Sequence, residues 1–170
     1  MRFDRREILY WASRYPDDYD REVETEVAPK VKKRGYFIKS DLQIICAWKT
    51  HRSKSRVASN LEDFIQAVTQ TALSTSDERL RIEVLTLLAG VSWPTASVLL
   101  HFGHSDPYPI LDFRALWSLS VDASKIDYDF KFWWKYTQYC RGLADKAGVS
   151  MRTLDRALWQ YSKENQKEIS

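Results

Sequence analysis

A short glycine turn, Gly90-Val91-Ser92, lies between two apolar segments that have the periodicity of helices. The second segment begins at Pro94, and proline is favoured in the first turn of a helix because its missing N–H costs nothing there. Exposed backbone N–H groups at such a turn, followed by the positive end of a helix dipole, are suited to binding a phosphate group. The spacing therefore predicts a helical hairpin that binds an anion, with Val91 anchoring the turn and the small Ala96 letting the helices approach closely.

Positive charge is concentrated in residues 29–56, where nine basic residues stand against Asp41 alone. The rest of the chain carries a net negative charge, although the whole chain is at +3. Such a block is typical of a protein that binds a polyanion. Tyr36 and Trp48 lie within it, and aromatic rings can stack on bases while cations hold phosphates. The alternative interpretation is a solvated helix face that only keeps the protein in solution.

Asp112 follows the loop Gly103-His104-Ser105-Asp106-Pro107-Tyr108-Pro109 and comes directly before Phe113-Arg114. An aspartate at this place is typical of a helix N-cap. The hairpin, the Pro-x-Pro loop and the Asp-x-Arg sequence together resemble the helix-hairpin-helix (HhH-GPD) DNA glycosylase superfamily, which includes endonuclease III and the adenine glycosylase acting on mismatches. The resemblance covers residues 87–119 closely and the rest of the chain more loosely.

The resemblance implies that Asp112 is the catalytic residue of a DNA N-glycosylase. Lyase-competent members of the family have a lysine eighteen positions before this aspartate, where the present sequence has Pro94. No lysine occurs between Lys54 and Lys125. The resemblance therefore implies a monofunctional enzyme that uses water as the nucleophile, without a cofactor and without the iron–sulfur cluster of the endonuclease III branch.

The same resemblance implies double-stranded DNA containing a damaged or modified base as the partner. Ser92 stands where the family usually has a second glycine, and a positive φ would cost a serine energy. The residues expected to contact DNA are Gly90, Val91, Ser92, Trp93, Thr95, Lys49, Arg52, Lys54, Arg56 and Arg114. The candidates for a base-stacking pocket are Tyr36, Trp48, Tyr108 and Trp117. Trp93 could equally be packed, and Arg114 could equally pair with a carboxylate.

Helical spacing and helix punctuation run through nearly the whole chain, so we predict an all-α fold. Ser40, Asn60 and Ser76 are the predicted N-caps of three of the helices. Following the resemblance, we expect a two-lobed HhH-GPD-like arrangement with the active-site cleft between the lobes. Residues 40–119 would form the lobe with the hairpin and the aspartate, and residues 1–39 with 120–170 the other. Three tryptophans inside helical segments are expected to pack in the core, namely Trp133, Trp134 and Trp159.

Composition excludes several classes of protein. Cys46 and Cys140 are too few for a disulfide framework, a cysteine-based zinc site or a four-cysteine cluster, so we expect two buried, reduced thiols. His101 and His104 lack a third ligand at metal-site spacing, so no metal is expected. No apolar run approaches the ~20 residues that span a bilayer. We therefore expect a cytoplasmic protein without a membrane partner, and a single-site enzyme of this kind would work as a monomer.

Three functions are compatible with these patterns. The first is a monofunctional DNA glycosylase, acting in base excision repair or on the modified bases of phage DNA. The second is a non-catalytic helix-hairpin-helix DNA-binding protein, which Ser92 and Pro94 would suit. The third is a helical interaction module whose basic face binds an acidic protein.

Overall fold

Helices joined by turns make up the described part of the chain. The computed structural model describes residues 1–49 and 54–166, with the backbone alone for Lys54. No strand occurs within these residues, which confirms the all-α class. Arg5–Glu7 and Ala123–Lys125 are 3₁₀ turns, and Val23–Val27 is a π-helical turn. The α-helices in chain order are α1 (Ile8–Ser13), α2 (Ala28–Arg34), α3 (Lys39–Lys49), α4 (Lys54–Ala58), α5 (Glu62–Ser74), α6 (Glu78–Leu85), α7 (Trp93–Gly103), α8 (Phe113–Ser118), α9 (Phe130–Ala147) and α10 (Met151–Asn165).

All three predicted N-caps are wrong. Ser40 lies inside α3, which begins one residue earlier at Lys39. α6 is capped by Asp77 and not by Ser76, because the Asp77 side chain accepts a 2.7 Å hydrogen bond from the Leu80 N–H. The residue before α5 is Leu61, which makes no side-chain capping bond. Asn60 is used for a long-range contact instead, as its side chain binds the hairpin turn.

The chain divides into two compact units, residues 17–106 (the hairpin unit) and residues 1–16 with 107–170 (the terminal unit). The lobe boundaries predicted from the sequence, at residues 40 and 119, differ from these. Residues 17–39 belong with the hairpin, and residues 107–119 belong with the two chain ends. Asp112 and the glycine turn therefore lie in different units.

Phe37 shows why residues 17–39 belong to the hairpin unit. Its side chain is fully buried, and its backbone N–H donates to the Thr69 hydroxyl over 3.0 Å. The ring lies against Gly103 of α7 so closely that a Cβ at that glycine would come within 2.7 Å of it. Val27 and Val31 are buried as well, and α2 packs on α7.

Hydrogen bonds from distant residues hold the stretch from residue 107 to 119 in the terminal unit. The Tyr136 hydroxyl donates to the Ile110 carbonyl over 2.8 Å. The Ser118 hydroxyl donates to the Leu158 carbonyl over 2.6 Å, and α8 packs against α10. These partners are up to 40 residues away in the sequence, so local patterns do not reveal them.

α7 is the central helix of the hairpin unit. Every side chain from Thr95 to Leu100 is buried, and α2, α3, α5 and α6 all pack against it. A helix that is buried on all sides is expected to be largely apolar, and in α7 the buried polar side chains are the small ones of Thr95 and Ser97. In the described part of the chain, no helix combines the length and apolar character needed to cross a bilayer.

A buried arginine joins three parts of the hairpin unit. Arg81, only 5% exposed, donates to the carbonyl oxygens of Ala72 and Thr75 at the end of α5. Its guanidinium also lies 3.3 Å from the Glu78 carboxylate and 2.6 Å from His104 Nε2. His104 is thus a packing partner of Arg81. No cluster of three potential metal ligands occurs among the described residues.

Trp133 is the largest fully buried side chain of the terminal unit. Its ring stacks on that of Tyr108, with the ring centres 5.8 Å apart. The core position predicted for Trp133 is confirmed. Trp134 and Trp159 are half-exposed, so the prediction that they pack in the core holds for only part of each side chain.

Both cysteines are free and buried, as the sequence predicts. Burial raises the pKa of each thiol from an ordinary value of 9.0 to about 12. The folded protein therefore favours the protonated thiols. This contribution to stability is complete below pH 9, where both states are protonated, and is lost as the pH rises from 9 towards 12.

We expect the thiols of Cys46 and Cys140 to react with a disulfide reagent at pH 8 far more slowly in the native protein than in denaturant, because the thiolate is the reactive form. The free energy of unfolding should also fall as the pH is raised from 9 to 11. Thiol titration and urea unfolding at a series of pH values measure the two effects. Rapid labelling of the native protein would contradict the burial of both groups.

Candidate functional site

The hairpin turn joins α6 to α7. α6 ends at Leu85, five residues before Gly90, where the predicted turn begins. Gly90 has φ +82°, a left-handed conformation that glycine adopts most readily. Val91 is 6% exposed and anchors the turn as predicted. Its N–H donates to the Leu88 carbonyl over 3.0 Å, so this amide is occupied and the prediction that it contacts DNA is wrong.

Asn60 binds the hairpin turn through its side-chain amide. Its Oδ1 accepts from the Ala89 N–H over 2.8 Å, and its Nδ2 donates to the Ala89 carbonyl over 3.0 Å. Nδ2 also donates to the Val57 carbonyl at the end of α4. The turn is therefore attached to α4. Sequence reasoning missed this role because the partner of Asn60 lies 29 residues away.

The N-terminus of α7 presents the backbone N–H groups that the turn leaves available. The first N–H groups of a helix have no partner within it, and here these belong to Ser92, Trp93 and Thr95, since Pro94 has none. The Ser92 side chain makes no capping hydrogen bond. Ser92 has φ −102°, so the strain considered for a serine at this place does not arise. Thr95 is only 2% exposed as a whole residue, so neither its side chain nor its backbone is open to a ligand, and the prediction that it contacts DNA is wrong.

The basic block reaches the hairpin through Arg56. A Cβ placed on Gly90 would lie 3.2 Å from the Arg56 Cβ and 2.9 Å from Val57 Cγ2. The Arg56 side chain is exposed, so its charge is available beside the turn. Lys49, at the end of α3, is half-buried. Arg52 and the side chain of Lys54 lie outside the described residues.

Part of the positive charge in the block is neutralised within the hairpin unit. Arg34 forms an ion pair with the buried Asp41, and its guanidinium lies 5.1 Å from the centre of the Tyr36 ring. Lys30 pairs with Glu26 over 2.8 Å. The block thus has fewer free cations than its composition indicates. Among its described side chains, that of Arg56 begins beside the turn.

The Asp112 carboxylate has a fixed position at the N-terminus of α8. Its Oδ1 accepts a 2.8 Å hydrogen bond from the Arg114 N–H, which confirms the N-cap interpretation. The side chain is half-buried. Burial is the main cause of the raised pKa of Tyr128, and the negative charge of Asp112 raises this pKa further. The sequence offers no signal for this tyrosine.

Arg114 lies between two aromatic rings. Its guanidinium carbon is 5.1 Å from the centre of the Phe113 ring and 5.6 Å from that of Trp159. Within the described ranges it makes no ion pair with a carboxylate, so the alternative prediction of such a pair is wrong. Phe113, which the sequence analysis did not single out, is 54% exposed directly after Asp112.

The four candidate pocket aromatics do not form one set. Tyr36 and Trp48 belong to the hairpin unit, whereas Tyr108 and Trp117 belong to the terminal unit. Tyr108 is fully buried against Trp133, so its prediction as a base-stacking residue is wrong. A buried ring of this kind contributes to the core and has no face for a ligand.

Trp48 and Trp117 each line an open cavity of their own unit. The cavity at Trp48 is about 620 Å³ and is also lined by Asp18, Asp20 and Glu22, so its charge disfavours a phosphate. The cavity at Trp117 is about 380 Å³ and is lined by one cation, Arg2, and one carboxylate, Asp122, together with Phe113 and uncharged residues. The Arg2 guanidinium lies 4.3 Å from the centre of the Trp117 ring. Trp117 is therefore the only predicted pocket residue that lines an open cavity and also lies on α8, the helix that begins after Asp112.

Comparison with known proteins adds no relative to this description, since no family model, no curated protein and no solved structure matches the chain.

Proposed function

We propose that the protein is a monofunctional DNA glycosylase that hydrolyses the N-glycosidic bond of a damaged or modified base in duplex DNA, as a monomer in the cytoplasm. The observation that carries this proposal is the half-exposed carboxylate of Asp112, held at the start of α8 by the Arg114 N–H. The resemblance of residues 87–119 to the helix-hairpin-helix glycosylases motivates it.

A single fixed carboxylate is sufficient for this chemistry. Cleavage of the bond from C1′ of the sugar to the base nitrogen develops positive charge on the sugar, as in glycoside hydrolysis. A carboxylate near the sugar stabilises that charge and orients or deprotonates a water molecule. The water oxygen bonds to C1′, and the base leaves with the electron pair of the broken bond and takes up a proton. The hydrogen bond from the Arg114 N–H orients the Asp112 carboxylate before the substrate binds.

Water is the nucleophile in this proposal because the hairpin offers no amine. Pro94 occupies the position of the family lysine, and its ring lies in the first turn of α7. The sequence contains no lysine from residue 55 to residue 124. A covalent imine between enzyme and sugar is therefore not part of the mechanism.

The hairpin unit would hold the DNA backbone. The N–H groups of Ser92 and Trp93 lie at the positive end of the α7 dipole, which favours an anion. Arg56 is exposed, and its side chain begins beside Gly90, so it adds a positive charge near the turn. These contacts would help offset the few kcal/mol needed to extrude a base from the duplex.

The direct test is excision from a panel of duplex oligonucleotides that each contain one alkylated, deaminated, oxidised or otherwise modified base. We expect alkali-labile sites in at least one duplex and no covalent adduct with borohydride, because no amine attacks the sugar. An adduct trapped by borohydride would overturn the water mechanism. Tight DNA binding without excision of any base would favour the non-catalytic DNA-binding alternative.

A further inference from the structure

A second basic surface lies in the terminal unit, far in sequence from residues 29–56. Arg152, Arg156, Trp159 and Lys163 follow one another on α10 at intervals of four, three and four residues, which places them on one face of the helix. Arg114 of α8 joins this face, since its guanidinium lies 5.6 Å from the centre of the Trp159 ring. We name these five residues the α10 stripe.

Aromatic rings hold the cations of the stripe in place. Lys163 Nζ lies 5.0 Å from the centre of the Trp159 ring. The guanidinium carbons of Arg152 and Arg156 lie 5.4 Å and 5.3 Å from the centre of the Tyr15 ring. Tyr15 in turn packs edge-on against Trp159, with the ring centres 5.3 Å apart. The charges are thus arranged around a rigid aromatic pair, which reduces the side-chain entropy lost when they bind a ligand.

Carboxylates near the stripe are already engaged. Asp155 is 8% exposed and pairs with Arg152. Glu164 accepts two hydrogen bonds from Arg14, at 2.8 Å and 2.9 Å. Within the described residues, neither Arg114 nor Lys163 forms an ion pair. Lys163 is exposed and Arg114 is half-exposed, so these two cations present positive charge to solvent.

We infer that the α10 stripe binds the phosphates of one DNA strand beside the site of Asp112. This inference rests on the proposed function. From Arg152 to Lys163 the helix rises about 16 Å, at 1.5 Å per residue. One strand of duplex DNA has a phosphate every 3.4 Å along the axis, so the stripe is as long as roughly five phosphates. Arg114 connects it to the carboxylate, because its own N–H donates to Asp112.

The test is the salt dependence of binding to a fluorescein-labelled duplex of unmodified DNA, followed by anisotropy at several KCl concentrations. The double variant Arg156→Gln with Lys163→Gln removes two phosphate contacts. Since each contact contributes about −0.9 to the slope of log K against log salt, we expect the slope to become less negative by about 1.8. The double variant Lys131→Gln with Lys146→Gln makes the same change of net charge at exposed positions of α9 and should leave the slope close to that of the wild type.

Equal slopes for the two double variants would overturn the inference, while excision by the wild type would leave the proposed function intact. Failure of the wild type to bind duplex DNA would overturn both, and binding of polyglutamate in its place would identify an acidic protein partner. If thermal melting shows that the first double variant is unfolded, Lys163→Gln alone serves as the test. Its side chain is exposed, and the expected change in slope is about 0.9.

Discussion

Replacing Asp112 by asparagine is expected to lower the rate of base excision by at least about 100-fold and to leave the stability of the protein nearly unchanged. Asparagine caps a helix as well as aspartate does, so the 2.8 Å hydrogen bond from the Arg114 N–H is kept. The neutral amide can neither stabilise positive charge on the sugar nor take a proton from water. Single-turnover excision and thermal unfolding measure the two quantities.

A matched control for this prediction lies in the same unit. Asp129 caps α9, and its carboxylate accepts a 2.7 Å hydrogen bond from the Phe132 N–H. Asp129→Asn makes the same chemical change at an exposed cap and should retain full excision. If Asp112→Asn excised the base as fast as the wild type, capping would be the only role of that side chain.

Replacing Gly90 by alanine is expected to destabilise the hairpin unit by about 3 kcal/mol and to weaken binding of duplex DNA by roughly tenfold. The residue has φ +82°, which disfavours any side chain. A Cβ would also lie 2.9 Å from Val57 Cγ2 and 3.1 Å from the Val57 backbone nitrogen, so the turn must move away from α4. That movement displaces the N–H groups at the start of α7.

Gly35 separates the backbone strain from the steric clash. It has φ +84°, nearly the same as Gly90, but a Cβ there would meet nothing within 4 Å. Gly35→Ala should therefore cost only about 1 kcal/mol and leave DNA affinity unchanged. Urea unfolding and anisotropy titration compare the two variants. Equal losses of affinity would show that the hairpin turn is not a DNA contact.

Much of the helical architecture follows from the sequence because its signals are local. The spacing of apolar residues predicts the helices, and Pro94 and Gly90 mark the start of α7 and the turn before it. The N-cap geometry of Asp112 is equally local, since it needs only the N–H two residues further on. The catalytic role of this residue depends on where a substrate would lie, and it stays a prediction.

The candidate site depends on contacts that no local pattern contains. The sequence placed Tyr108 with the pocket aromatics, yet its ring packs on Trp133 in the core. It also placed Asp112 with the hairpin, whereas hydrogen bonds at Ile110 and Ser118 hold that stretch in the terminal unit. In each case the partner is more than 20 residues away, and packing with that partner decides which faces are exposed.

By itself, the sequence determined the all-α class, the glycine turn and the two buried thiols, because periodicity, backbone freedom and hydrophobicity act through neighbouring residues. Only the tertiary structure decided that Asn60 binds Ala89 of the turn, that Arg56 lies beside the turn and that Arg114 joins the α10 stripe. Helical spacing could have shown the three cations of α10, but the ring of Trp159 that joins them to α8 is a contact across 45 residues. Such contacts depend on how the helices pack on one another. The spacing of residues along the chain therefore does not predict them.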